Sequence, residues 1–162
     1  MKKLLTFPIV LLALIISPIG CEKSINQQNN EEVAKAFIEA WSKHEINELT
    51  NLFDEECLYE EVASGRSYSN KEDIAKYVES TLSGVPDSRF ETIAIIANDE
   101  KAIVEWLWKG TNSVGWEIMN IPATNQSFEV RGVSVMHIQN KKITRNSDYW
   151  DWNTFITEIG AK

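Results

Sequence analysis

Apolar residues recur every three or four positions in the first half of the chain, which is the spacing of helices that bury one face. Val33, Phe37 and Trp41 show this spacing, and Asn30 before them is a suitable N-cap. The pattern predicts helices over residues 31–43, 46–53 and 71–84. A strand over residues 57–62 is predicted between the second helix and the third.

After Pro86 the period of the pattern changes to two, which predicts strands. Trp106 and Trp108 fall on one face of such a strand, while Gly132 in a later one is expected at a bulge or bend. The predicted strands cover residues 90–97, 102–110, 127–138 and 143–150, and a final helix covers 151–160. Helices followed by antiparallel strands indicate an α+β fold. A curved sheet over the helices leaves a concave face, which is where pockets form.

The first twenty residues form a segment of their own, with two lysines, an apolar run and a small residue at the end. This is the pattern of a secretory signal peptide, and the run is shorter than the roughly 20 residues that span a bilayer. Cys21 follows at once and resembles the lipidated cysteine of a bacterial lipobox. We therefore expect export to the cell envelope and a lipid anchor on Cys21, or secretion if Cys21 is not lipidated. An uncleaved membrane anchor is the alternative.

The polar residues 22–30 are expected to form a flexible tether, so that the predicted parts are a signal peptide (1–20), a lipidated cysteine with its tether (21–30) and one folded domain (31–162). The formal charge of −8 disfavours a nucleic acid partner. Two histidines and two cysteines leave little for a metal cluster, and the sequence has no glycine-rich phosphate loop and no serine nucleophile motif. We therefore expect no metal and no cofactor.

Several segments of the second half carry a resemblance. Pro122-Ala-Thr and Val130-Arg-Gly are followed by Asn-Lys-Lys-Ile at 140–143 and Asp-Tyr-Trp-Asp at 148–151. In this order and spacing they resemble the SnoaL-like group of the nuclear-transport-factor-2-like superfamily, over about residues 30–161. The resemblance implies a cone-shaped α+β domain, with a curved antiparallel sheet over N-terminal helices and a C-terminal helix. It leaves the function open, because this superfamily contains cyclases, isomerases, dehydratases, epoxide hydrolases and non-catalytic binders.

Two acids near the end of the last predicted strand are candidates for proton transfer. Asp148 shares a strand face with Asn146 and Trp150, and if that face is buried its pKa is raised, which suits acid/base work. A solvated face is the alternative. Asp151 lies where the final helix needs an N-cap, a role that does not exclude catalysis. The resemblance implies an acid/base Asp at this point, and either residue fits.

His137, on the preceding strand, is the third catalytic candidate. The resemblance implies a polar or basic residue there, which beside an Asp across the hairpin would orient the acid or relay its proton. An exposed strand position is the alternative. Five aromatic residues are expected to line a pocket for a flat or apolar molecule, with core packing as the alternative: Trp41, Tyr59, Trp106, Trp108 and Trp150. One of Glu60 and Glu61 must point inward, and the sequence leaves open which one.

Three functions remain open at this point. The first is a cofactor-independent enzyme of cyclase, isomerase or lyase type that acts on a small apolar molecule. The second is a non-catalytic lipoprotein that binds such a molecule in the same pocket. The third is an interaction domain that dimerises through the outer face of its sheet, with the pocket filled by tryptophan side chains.

Overall fold

The structure, a computed structural model, describes residues 23–161, so the signal segment and Cys21 lie outside the described residues. The helices are α1 (Ile25–Lys43), α2 (Ile46–Asn51), α3 (Lys71–Gly84) and α4 (Trp152–Glu158). The strands are β1 (Phe53–Glu61), β2 (Arg66–Tyr68), β3 (Arg89–Ala97), β4 (Lys101–Thr111), β5 (Gly115–Trp116), β6 (Ile121–Pro122), β7 (Ser127–Gln139) and β8 (Lys142–Trp150). No helix within 23–161 is long and apolar enough to cross a membrane.

Six strands form one sheet in the order β2-β1-β8-β7-β4-β3, while β5 and β6 form a separate two-stranded ribbon. The α+β fold with N-terminal helices and a C-terminal helix is confirmed. One pairing differs from a purely antiparallel sheet, because β1 runs parallel to β8. β1 lies far from β8 in the chain, so no hairpin sets the direction in which the two strands pair.

The turn between β7 and β8 places two non-glycine residues in the left-handed region. Asn140 and Lys141 have φ values of 51° and 62°, both in the left-handed region. A two-residue hairpin turn of type I′ requires positive φ at both positions. The tight turn sets the pairing of Ile138 with Ile143, and a one-residue shift at Thr144 then pairs His137 with Arg145 and Ser134 with Asp148. Turn and shift together decide which side chains of β8 face the core.

The first helix begins earlier than the pattern predicts. Ser24 rather than Asn30 is the N-cap, and its side chain accepts a hydrogen bond from the backbone N–H of Gln27. Asn30 is buried within α1 and donates to the backbone carbonyl of Asn98 at 2.8 Å. Residues 25–30 are therefore helical, and the expectation of a flexible tether over 22–30 is wrong for them. The Asn- and Gln-rich run carries no apolar period, but a buried amide docks it against the β3–β4 turn.

Gly132 makes room for an indole and does not form a bulge. It pairs with Trp106 of β4 and with Trp150 of β8 in an uninterrupted register. A Cβ atom at this position would lie 2.1 Å from the Trp106 ring. The glycine therefore lets the Trp106 side chain lie flat across β7 on the inner face of the sheet.

Residues 112–126, which we call the cover segment, contain β5, β6 and the short 3-10 turn Glu117–Met119. The side chain of Asn112 holds the segment by donating to the Pro122 carbonyl at 2.8 Å and to the Thr124 hydroxyl at 3.0 Å. The Arg66 guanidinium donates to the Ile118 carbonyl. The sequence analysis predicted no regular structure here, yet this segment places Trp116 against the concave face of the sheet.

Candidate functional site

The concave face of the sheet and helices α1 and α3 enclose a cavity whose walls are mostly aromatic. All five predicted ligand-binding residues line it: Trp41, Tyr59, Trp106, Trp108 and Trp150. Four further aromatic residues also line it: Phe37, Tyr77, Phe90 and Trp116 of the cover segment. The cavity has a volume of about 20 Å³, which is room for little more than one water molecule. A larger ligand therefore needs an aromatic side chain, or the segment that carries it, to move.

Asp148 supplies a carboxyl group to this cavity. The side chain is buried, with 7% of its surface exposed, because Asp148 pairs with Ser134 on the inner face of the β7–β8 hairpin. The phenol of Tyr59 donates a hydrogen bond to Oδ2 of Asp148, and the Asn146 amide donates to Oδ1 at 2.7 Å. The acid is thus fixed from both sides by residues of two neighbouring strands.

Burial raises the pKa of Asp148 above its ordinary value of 3.8. Hydrogen bonds from Tyr59, Ser134 and Asn146 to the carboxylate act in the opposite direction but do not cancel the effect of burial. The pKa of Tyr59 is raised well above its ordinary value, first by burial and then by the charge of Asp148. The pair is therefore a carboxyl group with increased proton affinity beside a phenol that stays protonated, which is a suitable arrangement for general acid/base chemistry.

Asp151 occupies a different environment. It is the N-cap of α4, where Oδ1 accepts from the Thr154 backbone N–H at 3.0 Å and Oδ2 accepts from the Thr154 hydroxyl at 2.6 Å. These hydrogen bonds lower the pKa of Asp151, whose side chain is exposed. Asp151 does not line the aromatic cavity. Of the two candidate acids, the structure places Asp148 in the cavity and Asp151 on the surface.

The expectation that His137 lies beside a strand-end acid is not met. His137 pairs with Lys101 of β4 and Arg145 of β8, on the outer face of the sheet. Partial burial and the two neighbouring cations lower its pKa. Because side chains alternate along β7, the position that faces Asp148 is Ser134 and not His137. Among residues 23–161, no group of three or more His, Cys, Asp or Glu side chains is placed to hold a metal ion.

Glu61 is a second buried carboxyl group near the cavity, and it is the member of the Glu60–Glu61 pair that points inward. It is fully buried and pairs with Asp148 across the parallel β1–β8 ladder. Trp150 donates its indole N–H to Oε1 of Glu61 at 2.5 Å. Burial raises the pKa of Glu61, and the nearby charge of Asp148 adds to this effect. Side chains alternate along a strand, so Glu61 lies on the same face of β1 as Tyr59, two residues earlier. If Tyr59 lines the cavity, as the sequence predicts, Glu61 is the glutamate that points inward.

The neighbouring Glu60 shows the opposite arrangement. Its carboxylate accepts hydrogen bonds from Arg145 at 2.8 Å and from the Ser147 hydroxyl at 2.6 Å, on the outer face of the sheet. These contacts lower the pKa of Glu60. The two consecutive glutamates therefore differ in orientation and in charge environment, which makes Glu60 a natural control for Glu61.

Comparison with known proteins gives matches both in sequence and in fold. Residues 34–146 match the SnoaL-like domain family. The chain belongs to this family. No curated protein sequence matches this SnoaL-like chain.

Solved structures resemble the SnoaL-like domain over most of their length. A protein with a ketosteroid isomerase-like fold from Catenulispora acidiphila DSM 44928, in complex with trimethylamine, is 19% identical with a TM-score of 0.70, covering 80% of this chain and 92% of that one. A proposed SnoaL-like polyketide cyclase from Jannaschia sp. CCS1 is 12% identical with a TM-score of 0.79, covering 88% and 99%. AclR, a proposed hydroxylase from Streptomyces galilaeus, is 15% identical with a TM-score of 0.72, covering 84% and 87%. At these identities the likeness shows the fold alone.

Proposed function

We propose that this SnoaL-like domain binds a small apolar or aromatic molecule in its aromatic cavity. Asp148 then acts as the general acid/base in a cofactor-independent reaction of cyclase, isomerase or lyase type. The observation that carries the proposal is the buried carboxyl group of Asp148, held by Tyr59 among aromatic rings. A buried acid is costly to a fold, and perturbed acids of this kind concentrate at functional sites.

The geometry around Asp148 supports a proton-transfer role. The Trp106 indole N–H donates to the Ser134 hydroxyl oxygen at 2.9 Å, which leaves the hydroxyl hydrogen of Ser134 available for Asp148. Tyr59, Asn146 and Ser134 then orient the carboxyl group without a salt bridge. A carboxyl group with a raised pKa removes a proton from a weakly acidic substrate more readily and retains it for return.

The relatives support the proposal only in outline. The Jannaschia protein is a proposed cyclase, and the Catenulispora protein holds trimethylamine. Binding of a small molecule therefore occurs in at least one protein of this fold, while the chemistry of this chain depends on its own residues.

The experiment is native mass spectrometry of the purified protein after exposure to a bacterial cell extract. The proposal predicts a retained small molecule, whose mass gives its chemical class. If the retained molecule is converted, Asp148→Asn should abolish turnover, while the matched surface variant Asp151→Asn should keep it. A protein that stays empty in every extract would contradict the binding function. A molecule that is bound but never converted would leave the non-catalytic binding alternative.

The cellular location is part of the same proposal. The sequence of residues 1–21 supports export, cleavage before Cys21 and attachment to a membrane of the bacterial envelope through lipid on that cysteine. Cys21→Ala should move the protein from the membrane fraction to the soluble fraction. Cys57→Ala is the control, because Cys57 is a buried free thiol of the folded domain. A protein that stays with the membrane after Cys21→Ala would contradict lipid anchoring.

Homodimerisation is a second function that a separate observation favours. The outer face of the sheet carries an apolar groove formed by Ile96, Ile103, Val133 and Tyr149, with Glu105 and Arg131 beside it. Ile96 is 68% exposed and pairs with Ile103 across β3 and β4. Exposed apolar patches of this kind mark interaction sites, and a twofold axis would bury the patch on both copies at once.

The oligomeric state tests this second function. Analytical ultracentrifugation should show a dimer that Ile103→Lys converts to a monomer without loss of folding. Glu129→Lys, on the outer face but away from the groove, is the matched control. A wild-type protein that remains monomeric at high concentration would contradict the dimer, and it would leave the cavity proposal untouched.

A further inference from the structure

Four buried polar atoms at or beside the cavity have no hydrogen-bond partner among the described residues. One is Oδ1 of Asn146, next to Asp148, and the other three are Oε2 of Glu61, the phenol oxygen of Tyr68 and Nε1 of Trp116. The last three side chains lie in one neighbourhood. The Tyr77 ring lies 4.7 Å from the Tyr68 ring and 6.3 Å from the Trp116 ring, centroid to centroid. Trp150, whose indole donates to Glu61, lies beside Trp116. Buried polar groups are nearly always paired, so unpaired ones at a cavity indicate the position of a missing partner.

No protein cation supplies that partner. None of the ion pairs within residues 23–161 involves Glu61 or Asp148. Arg66 pairs with Glu61 across β1 and β2, but its guanidinium is bonded to the Ile118 carbonyl of the cover segment. The groups that face Glu61 are instead the Trp150 indole, Ser64, Tyr77 and the second acid, Asp148. Arg66 is the nearest cation, but it forms no ion pair with either acid, so two carboxyl groups face one cation that the cover segment holds. This balance favours a cationic ligand over an anionic one.

The aromatic rings around these acids present their faces to one another. Tyr68 stacks on Tyr77 with ring centroids 4.7 Å apart, and Trp116 lies nearly parallel to Trp150 with centroids 6.5 Å apart. Ring faces carry the negative part of the aromatic quadrupole and attract organic cations, most strongly for tryptophan. A carboxylate with aromatic faces around it is the arrangement that binds ammonium groups in proteins.

We infer that the ligand of the cavity carries a protonated or quaternary ammonium group, which binds between the Trp116 and Trp150 rings with Glu61 as its counterion. The inference rests on the proposed function, because it names the chemical class of the molecule that the cavity holds. The apolar remainder of the ligand then lies toward Trp106 and Asp148. Glu61 is thereby a specificity-determining residue, while Asp148 stays free for proton transfer.

Glu61 is fully buried behind the cavity wall, so on this inference the ligand reaches it by movement of the cover segment. Trp116 forms the wall of the cavity on this side, and its segment is held by a two-residue ribbon, the Asn112 amide and the Arg66–Ile118 hydrogen bond. Outward movement of this segment widens the space between Trp116 and Trp150, and it exposes Glu61 to the ligand. In the bound state the ammonium group is the charged partner of Glu61, and the apolar part of the ligand packs against Trp116 and Trp150.

Isothermal titration calorimetry with two probes tests the inference on the full-length protein. The probes are choline and its neutral carbon analogue 3,3-dimethyl-1-butanol, which has the same shape without the charge. We expect choline to bind at least tenfold more tightly than the neutral analogue. Glu61→Gln should weaken choline binding at least tenfold, whereas Glu60→Gln should leave it unchanged. The glutamine keeps an oxygen for the Trp150 indole, and a single cooperative thermal unfolding transition together with an unchanged circular dichroism spectrum of Glu61→Gln confirms that the fold is intact.

The possible failures of this experiment are distinguishable. Equal binding of both probes, or full choline binding by Glu61→Gln, would overturn the cation site while the cavity proposal stands. Binding of neither probe by a protein that retains a neutral molecule in native mass spectrometry would overturn the cation site alone. Binding of neither probe by a protein that is also empty in native mass spectrometry would overturn both proposals.

Discussion

Tyr59 of β1 donates its phenol hydrogen to Oδ2 of Asp148 on the adjacent parallel strand β8, inside a wall of aromatic rings. The hydrogen bond joins β1 and β8, which are the first and last strands in chain order and neighbours in the sheet. It fixes the orientation of the buried Asp148 carboxyl group. It also stabilises the ionised form of Asp148, because a donor to a carboxylate lowers the pKa of that carboxylate.

Removing this hydrogen-bond donor should affect both stability and proton affinity. Tyr59→Phe should destabilise the fold by about 1–2 kcal/mol, because it leaves a buried carboxylate with one partner fewer. It should also raise the pKa of Asp148 further. Urea denaturation and the pH profile of any activity measure the two effects. Tyr149→Phe, on the exposed outer face, is the control and should change neither. A Tyr59→Phe protein with unchanged stability and pH profile would show that the bond is absent in solution.

The two buried acids should make stability depend on pH in a defined direction. Asp148 and Glu61 have raised pKa values in the folded state, so the native protein binds more protons than the unfolded chain above the ordinary values of 3.8 and 4.5. Their contribution to stability is complete below those values and is lost as pH rises through the higher pKa of the folded state.

Isosteric variants isolate this contribution from that of the other acids. The free energy of unfolding of Asp148→Asn, relative to wild type, should increase as pH rises from about 4 toward neutrality. Glu61→Gln should show the same trend. Glu60 should behave in the opposite way and at lower pH, because its folded-state pKa is lowered: the stability of Glu60→Gln relative to wild type should fall as pH rises through the acidic range to about 4.5 and stay constant above it. Denaturant unfolding at several pH values measures all three, and a pH-independent difference for Asp148→Asn would contradict a raised pKa.

Asp151 should prove structural. Asp151→Ala removes the oxygen that accepts from the Thr154 backbone, so α4 loses its N-cap and the melting temperature should fall by a few degrees. Ligand binding should persist, because Asp151 lies outside the cavity. Asp151→Ser retains a capping oxygen and should restore most of the stability. Loss of ligand binding or turnover by Asp151→Ser with normal stability would place Asp151 in the site after all.

Gly132 should be needed for the packing of Trp106. Gly132→Ala places a methyl group into the indole ring and should destabilise the fold by about 1–3 kcal/mol. In the Trp106→Phe background the same change should cost less, because the smaller ring leaves space. A double-mutant cycle in denaturant measures this coupling. Additive effects of the two substitutions would contradict the contact.

Much of the cavity could be predicted from the sequence because side chains alternate strictly between the two faces of a strand. Trp106 and Trp108 lie two residues apart, so a single inward face carries both, and the five predicted aromatic residues all line the cavity. The N-cap role of Asp151 could also be predicted, because an Asp directly before a helical pattern is a preferred cap, and α4 begins at the next residue. These predictions depend only on local spacing.

Properties that depend on strand pairing could not be predicted in the same way. Asp148 faces the cavity because of the one-residue register shift that follows the β7–β8 turn, and the alternation of apolar residues does not reveal that shift. Glu61 became a neighbour of Asp148 through the parallel β1–β8 pairing, between strands that lie far apart in the chain. The expectation for His137 fails because proximity along a hairpin does not put two side chains on the same face of the sheet, and His137 pairs with Arg145 on the outer face.

Residue-specific NMR titration of the aspartate carboxyl groups tests the central claim most directly, because it observes Asp148 and Asp151 in one experiment. The account predicts that Asp148 titrates above 3.8 and that Asp151 titrates below it. Addition of the retained ligand should perturb the Asp148 signal and leave that of Asp151 in place. If Asp148 instead titrates at or below 3.8 and ignores the ligand, it is not a buried cavity acid, and the proposed chemistry fails.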